Sequence, residues 1–262
     1  MLLTFGYLNM PDLINLYDSQ PMLANWLIAI GFNTVLIAIA LALPRKALTT
    51  AGILHAWFLG VVLWGCLGWQ GYIIMFCYLV VGSGITYIGK ETKELKGIAE
   101  KRDGARGPEN LWGSALTGTI CALGYALMPH PLWLIGYTAS ISTKLSDTTA
   151  SEIGKAYGKS TYLITTLKPV PAGTEGAISL EGTASGIIGS LLIAAIGWLV
   201  GILTNPLAIA WCAIAAFVAT NLESLIGATL QTKWNWLTNE VVNGINTAIG
   251  ATVAVLLAIV WP

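Results

Sequence analysis

Apolar runs long enough to cross about 30 Å of hydrocarbon, roughly 17 to 25 residues each, recur near residues 22–43, 48–69, 71–89, 113–129, 131–153, 183–204, 206–226 and 239–261. The pattern predicts an all-α, polytopic membrane protein with seven to eight transmembrane helices, read as one integral membrane domain over residues 1–262. The lower count stays open because the fourth run is short and the fifth continues into polar residues. The longest polar interruption is 139–186. If its start is helical, Ser140, Lys144, Asp147, Ser151 and Lys155 fall at i, i+4, i+7, i+11 and i+15 and share one face. An acid, two bases and two hydroxyls on a helix leaving a bilayer are costly unless they line a wet cavity or bind a charged ligand. A phosphate with a cation meets both conditions. The last run opens with a second polar stripe, Asn239, Asn243 and Asn246, continued by Gly250. Its amides must point inward, as glue between helices or as contacts to a ligand.

Composition agrees with the pattern. The chain is 55% hydrophobic and 10% charged with a mean hydropathy of +0.71, whereas a soluble domain carries about 25% charged residues. Net charge is zero, so nothing suggests nucleic acid or a charged tethering tail. Cys66, Cys77, Cys121 and Cys212 lie in apolar runs without metal spacing and read as packing residues. Residues 1–21 have no basic n-region and are neither Arg- nor Ser-rich, unlike a signal or transit peptide, which favours a bacterial over an unprocessed organellar origin.

The thirteen bases fix an orientation. Arg45 and Lys46 follow the first run, and Lys90, Lys93, Lys96, Lys101, Arg102 and Arg106 follow the third. Lys144, Lys155, Lys159 and Lys168 belong with the fifth, and Lys233 follows the seventh. All fall on one side, which the positive-inside rule makes cytoplasmic, with both termini outside.

Several segments carry candidate chemistry. Glu91–Lys96 reads as a solvated amphipathic stretch, but Arg106 precedes a Gly-Pro turn, and its planar fork suits phosphoryl oxygens; Asn110 follows at the mouth of the fourth span. The run from Gly154 to Ser160 looks like a Walker A loop but has three residues between its glycines where four are needed, and no strand precedes it. From Leu167 to Gly176, two prolines and two glycines force an irregular backbone whose amides could form an anion nest, with Lys168 and Thr174 adding charge and hydroxyl. Gly182, Gly186 and Ser190 form a small-residue seam for close helix packing. Glu223 stands where the seventh span leaves the bilayer. His55 reads as a satisfied core residue and His130 as part of an outer turn.

Taken in order, RGPENLWGS, DTTASEIG, TTLKPVPAGTEGAISLEGT, NLESLIGATLQ and TNEVVNGINT resemble the membrane prenyl-phosphate kinases, over about residues 50 to 262. The nearest likeness is to the phytyl-phosphate kinases of cyanobacteria and plastids. The resemblance implies transfer of the terminal phosphoryl group of a nucleoside triphosphate, CTP by analogy, to phytyl phosphate, giving the diphosphate for tocopherol-type lipids. It implies Mg²⁺ (or Mn²⁺) as cofactor and an active site on the cytoplasmic face of a bacterial inner or thylakoid membrane. The partners are a prenyl-phosphate lipid, a nucleoside triphosphate, the bilayer and, as an alternative to a monomer, a second copy of the chain. The chain departs from many relatives in having Ala105-Arg106 for two arginines and Glu223-Ser224 for Asp-Ser.

On this basis Asp147, Lys144 and Arg106 are the catalytic candidates, and Asp147, Glu152 and Glu223 the metal candidates, since Mg²⁺ prefers a few carboxylates plus phosphate oxygens. Glu152 lies about 100° from the Asp147 stripe on an ideal helix, so either the helix unwinds near Ala150 or Glu152 serves another element. The nucleotide and phosphate contacts are expected from Asn110, Ser140, Ser151, Lys155, Lys168, Gly173, Thr174, Glu175, Gln231, Asn239, Asn243 and Asn246. Alternatives are a lipid-phosphate cytidylyltransferase, a phytol kinase, and a transporter. The last is disfavoured because ionisable groups collect at one face.

Overall fold

The computed structural model describes residues 22–42, 48–99, 105–231 and 233–261. Arg45, Lys46, Lys101, Arg102 and the N-terminal segment 1–21 lie outside the described residues. In chain order the helices are α1 (Met22–Ala42), α2 (Thr50–Tyr87), α3 (Lys90–Leu95), α4 (Pro108–Leu127), α5 (Pro131–Tyr157), α6 (Leu180–Leu199), α7 (Leu207–Ile226), continued by a π-turn (Gly227–Gln231), and α8 (Asn239–Val260). A two-stranded antiparallel hairpin, β1 (Tyr162–Leu163) with β2 (Ala177–Ile178), lies between α5 and α6. The fold is all-α in its membrane part, as the pattern predicts. Among the described residues, five helices are long and apolar enough to cross a membrane: α1, α2, α6, α7 with its π-turn, and α8. The more polar composition of α4 and α5 keeps them below that measure.

The two spans expected at 48–69 and 71–89 are the arms of α2, broken at Gly68, whose φ of 64° is open to glycine and strained for other residues. Ile53 from the first arm and Tyr78 from the second line one cavity. In a straight helix they would stand about 37 Å apart, so the second arm turns back beside the first.

The hub is α5. It starts at Pro131, which needs no amide donor there, behind His130, whose Nδ1 accepts from the Leu132 amide. It ends at Gly158, and α2, α4, α6, α7 and α8 all pack on it. Every residue from Ile135 to Asp147 is buried, and small ones dominate, so neighbouring backbones come close. The expected seam on α6 is the α5 contact: a Cβ at Gly182 would lie 2.6 Å from the Ala150 carbonyl oxygen, and one at Gly186 3.0 Å from Ser146 Oγ. Two bonds tie the seam, Ser185 Oγ donating to the Thr149 carbonyl and Thr149 Oγ1 to the Ser185 carbonyl, both 3.0 Å. On one side of α5 lies a cluster of Leu63, Leu67, Ile74, Tyr137 and Ile141, and on the other one of Ala139, Ala194, Trp211, Cys212 and Ala254. Cys66, Cys121 and Cys212 are buried and Cys77 is half-buried, as expected of packing residues, and His55 Nδ1 accepts from Trp112 Nε1 at 3.0 Å. Leu27, Leu54, Ile188, Leu199 and Val260 face outward, the surface a bilayer would cover.

Among the described glycines, Gly250 of α8 is the most tightly enclosed: an added Cβ would stand 2.0 Å from Thr143 Oγ1. Gly250→Val is therefore expected to destabilise by about 1–3 kcal/mol through overpacking. Gly31→Ala, with nothing within 4 Å of the new Cβ, is expected to leave the protein within ~1 kcal/mol of the parent. Thermal unfolding in detergent compares the two.

Candidate functional site

At the end of the bundle where α5 leaves it, a polar cavity of about 560 Å³ is walled by α5, the 173–179 limb of the hairpin, the starts of α4, α6 and α8, and the end of α7. Four of the five stripe residues, Lys144, Asp147, Ser151 and Lys155, line it, because α5 stays helical through Tyr157. The floor is an ion pair: Lys144 Nζ lies 2.6 Å from Asp147 Oδ2 and donates to Asn243 Oδ1 at 2.8 Å. Both side chains are nearly buried yet open on the cavity.

Arg106 lines the cavity from the segment just before α4. Its Nη1 donates to Tyr78 Oη at 2.8 Å, with the guanidinium carbon 5.1 Å from the centre of that ring, a cation–π arrangement. Tyr78 in turn donates to Ser114 Oγ at 3.3 Å. The Gly-Pro turn works as the sequence suggests: Gly107 caps α4, Pro108 takes its first position, and Asn110 Oδ1 accepts from the Gly107 amide at 3.1 Å. Asn110 Nδ2 donates to Glu240 Oε1 at 3.1 Å, so this side chain joins α4 to α8 as well as lining the cavity.

The structure changes three expectations by showing where side chains go. Glu152 lines the cavity, but one carboxylate oxygen meets Lys93 Nζ and the other lies 3.5 Å from Lys155 Nζ. Of the two options its position left, Glu152 serves another element: α5 does not unwind, and the carboxylate ties it to α3. Lys93 is correspondingly buried, not solvated, and its Nζ also donates to the Thr86 carbonyl at 2.7 Å. Finally, the 167–176 backbone is irregular, with Leu167, Gly173 and Gly176 at positive φ. The amides of Thr174 and Ala177, however, donate to the Pro171 and Thr174 carbonyls, and Thr174 Oγ1 to that of Pro171. Thr174 therefore uses its amide and hydroxyl to close turns and does not present them as part of a nest.

Gly173, Thr174, Glu175, Glu223, Asn239 and Asn243 reach the cavity wall. Ser140, Lys168, Gln231 and Asn246 do not. Ser140 lies deeper along α5, fully buried, its Oγ donating to the Tyr137 carbonyl. Asn246 is likewise fully buried one turn below Asn243, and its amide finds no partner among the described residues. Lys168 sits in the exposed hairpin tip, where its carbonyl accepts from Leu163. Gln231 lies behind Gly227 at the end of the π-turn. The hairpin is seated on that helix end, since a Cβ at Gly176 would lie 2.5 Å from the Ser224 carbonyl oxygen. Residues that periodicity did not single out complete the wall, among them Ser146, Thr183, Thr220, Asn221 and Glu240.

The charge balance is informative. Five carboxylates line the cavity, Asp147, Glu152, Glu175, Glu223 and Glu240, against three bases, Arg106, Lys144 and Lys155. Glu223 lies within electrostatic reach of Asp147, Lys144, Glu175 and Lys155. Among the described residues there is no group of three or more His, Cys, Asp or Glu placed to hold a metal by themselves. With phosphates bound, one or two of the lining carboxylates together with phosphate oxygens would suit a hard divalent cation.

Comparison with known proteins agrees with the membrane reading. The family described as "Integral membrane protein DUF92" matches residues 33–251. An uncharacterized membrane protein of Synechocystis is 58% identical over 239 residues, covering 90% of this chain and 92% of the relative. Protein VTE6, chloroplastic, of Arabidopsis thaliana is 42% identical over 240 residues, covering 88% of this chain and 72% of the relative. An uncharacterized membrane protein of Methanocaldococcus jannaschii is 33% identical over 230 residues, with 86% and 93% covered. No solved structure matches the chain.

Proposed function

We propose that this chain, which belongs to the DUF92 family of integral membrane proteins, transfers the terminal phosphoryl group of a nucleoside triphosphate to a prenyl monophosphate. CTP and phytyl phosphate are the substrates its motifs suggest. The observation that carries the reading is the cavity itself: three bases and five carboxylates at one end of a membrane bundle. A site for a phosphate alone would be cationic. A site for phosphates that arrive with a divalent cation needs both signs.

Lys144, Arg106 and Lys155 are placed to neutralise phosphoryl oxygens. Asn243 steadies Lys144, and Tyr78 steadies Arg106. Asp147 and Glu223 are the carboxylates that would share a Mg²⁺ or Mn²⁺, which would supply charge neutralisation across the donor phosphates. An oxygen of the acceptor phosphate attacks the terminal phosphorus, the new O–P bond forms, and the bond to the bridging oxygen breaks, releasing a nucleoside diphosphate. The acceptor already carries a nucleophilic anion, so no general base is required, and no His lines the cavity among the described residues. By the positive-inside rule, the bases near this end support a cytoplasmic site, on the side where nucleoside triphosphates are found.

Phytyl phosphate should be a good acceptor and free phytol a poor one, by at least about a hundredfold, since a general base commonly contributes 10²–10⁴. Side-by-side turnover with Mg²⁺ and CTP tests this. Equal use of the two acceptors would point to a phytol kinase, and release of pyrophosphate to a cytidylyltransferase.

A further inference from the structure

A second cavity, of about 290 Å³, lies among α1, the two arms of α2 and α4. Its walls are apolar, formed by Leu36, Ile37, Ala56, Leu63, Met75 and Leu79. Ile39 and Phe76, at its edge, are 53% and 38% exposed on the lipid-facing surface, so the cavity is open to hydrocarbon. At its inner end stand Tyr78, Arg106 and Ser114. Arg106 and Ser114 also line the polar cavity, so the dry and wet spaces meet across the Arg106–Tyr78–Ser114 hydrogen-bond chain.

We infer that this groove holds the hydrocarbon chain of the lipid monophosphate acceptor next to its head group, with Arg106 at the boundary taking the phosphate. The inference rests on the phosphoryl-transfer reading and adds the path by which the acceptor enters. Three observations commit the groove to this occupant. Its mouth faces the bilayer, where such a lipid resides; its inner end carries a guanidinium, the partner of a phosphate; and that same guanidinium faces the cavity in which transfer takes place. The volume holds about ten water-sized groups at ~30 Å³ each, so it takes the part of a long chain nearest the phosphate and leaves the remainder in lipid. Helix α1 then has a role that its packing on α2 alone does not suggest, as the outer wall of the acceptor groove. Asn33 fixes that wall, its Oδ1 accepting from Tyr72 Oη at 3.0 Å.

The test is photolabelling of the full-length protein in nanodiscs with a long-chain alkyl phosphate carrying a diazirine a few carbons from the phosphate. Peptides are mapped by mass spectrometry. Labelling is expected within 36–40, 56–63 and 75–79, reduced at least about tenfold by excess phytyl phosphate but not by phytol at the same concentration. Ala56→Trp, which fills the groove away from the polar cavity, should reduce that labelling similarly while leaving binding of CTP with Mg²⁺ unchanged. Labelling spread over outward-facing residues such as Ile188 and Leu199, and not competed, would overturn the inference, whether or not Ala56→Trp folds. Competed labelling of the groove in a protein without transfer activity would uphold the groove and refute the kinase reading. Transfer activity without groove labelling would refute the groove alone.

Discussion

Asp147→Asn, which keeps the shape of the side chain and removes its charge, is expected to lower turnover at least about a hundredfold, roughly 2.7 kcal/mol in the barrier, in a protein that stays folded in detergent. Folding should survive because Lys144 retains its bond to Asn243 and lies on a wet cavity, so its ammonium is not stranded. Turnover should not survive, because the carboxylate is the one on the stripe that can face a cation between the bases. If Asp147 were only half of a structural pair, its loss would destabilise the bundle, and Lys144→Met with Asp147→Asn would restore both stability and activity. Turnover with purified protein, measured beside thermal unfolding, separates the two. An active double variant contradicts the assignment.

The Lys93–Glu152 pair should behave oppositely. Its side chains are 1% and 4% exposed, drier than the 8% and 12% of Lys144 and Asp147. Lys93→Met strands the Glu152 carboxylate, and removing one member of a buried pair commonly costs about 3–5 kcal/mol. The lower end is expected here, because Lys155 stands 3.5 Å from the other carboxylate oxygen. Adding Glu152→Gln should recover most of the loss, seen as a return of the unfolding temperature. Glu152→Gln alone should lower stability more than turnover. Abolished turnover at unchanged stability would return Glu152 to the metal site.

The sequence disclosed which faces matter better than how deep a residue sits. A period of 3.6 residues put Lys144, Asp147, Ser151 and Lys155 on one wall, and it put Asn239 and Asn243 on another. The same period placed Ser140 and Asn246 on those faces without revealing that they lie below the cavity floor, where side chains pack between helices. Glycine spacing disclosed the α5–α6 seam, but nothing in the pattern distinguished Gly68, where α2 reverses, from glycines inside straight helices. Pairs far apart in sequence were illegible: Lys93 meets Glu152 across 59 residues and Asn110 meets Glu240 across 130, and neither separation leaves a periodic trace. Tyr78, which holds Arg106, reads in sequence as one more aromatic residue in an apolar span. The charge of Lys168 beside two prolines marks it as a phosphate candidate, but the turn that those prolines help to shape carries it to the hairpin tip.

The most direct test of the phosphoryl-transfer claim is to follow the label from γ-³²P-CTP with purified protein, Mg²⁺ and phytyl phosphate. Label is expected in an organic-soluble prenyl diphosphate, formed in step with CDP and lost in Asp147→Asn. Transfer of the cytidylyl (CMP) group to the lipid phosphate with labelled pyrophosphate released, or label remaining in the nucleotide while the folded protein binds both substrates, would contradict that claim.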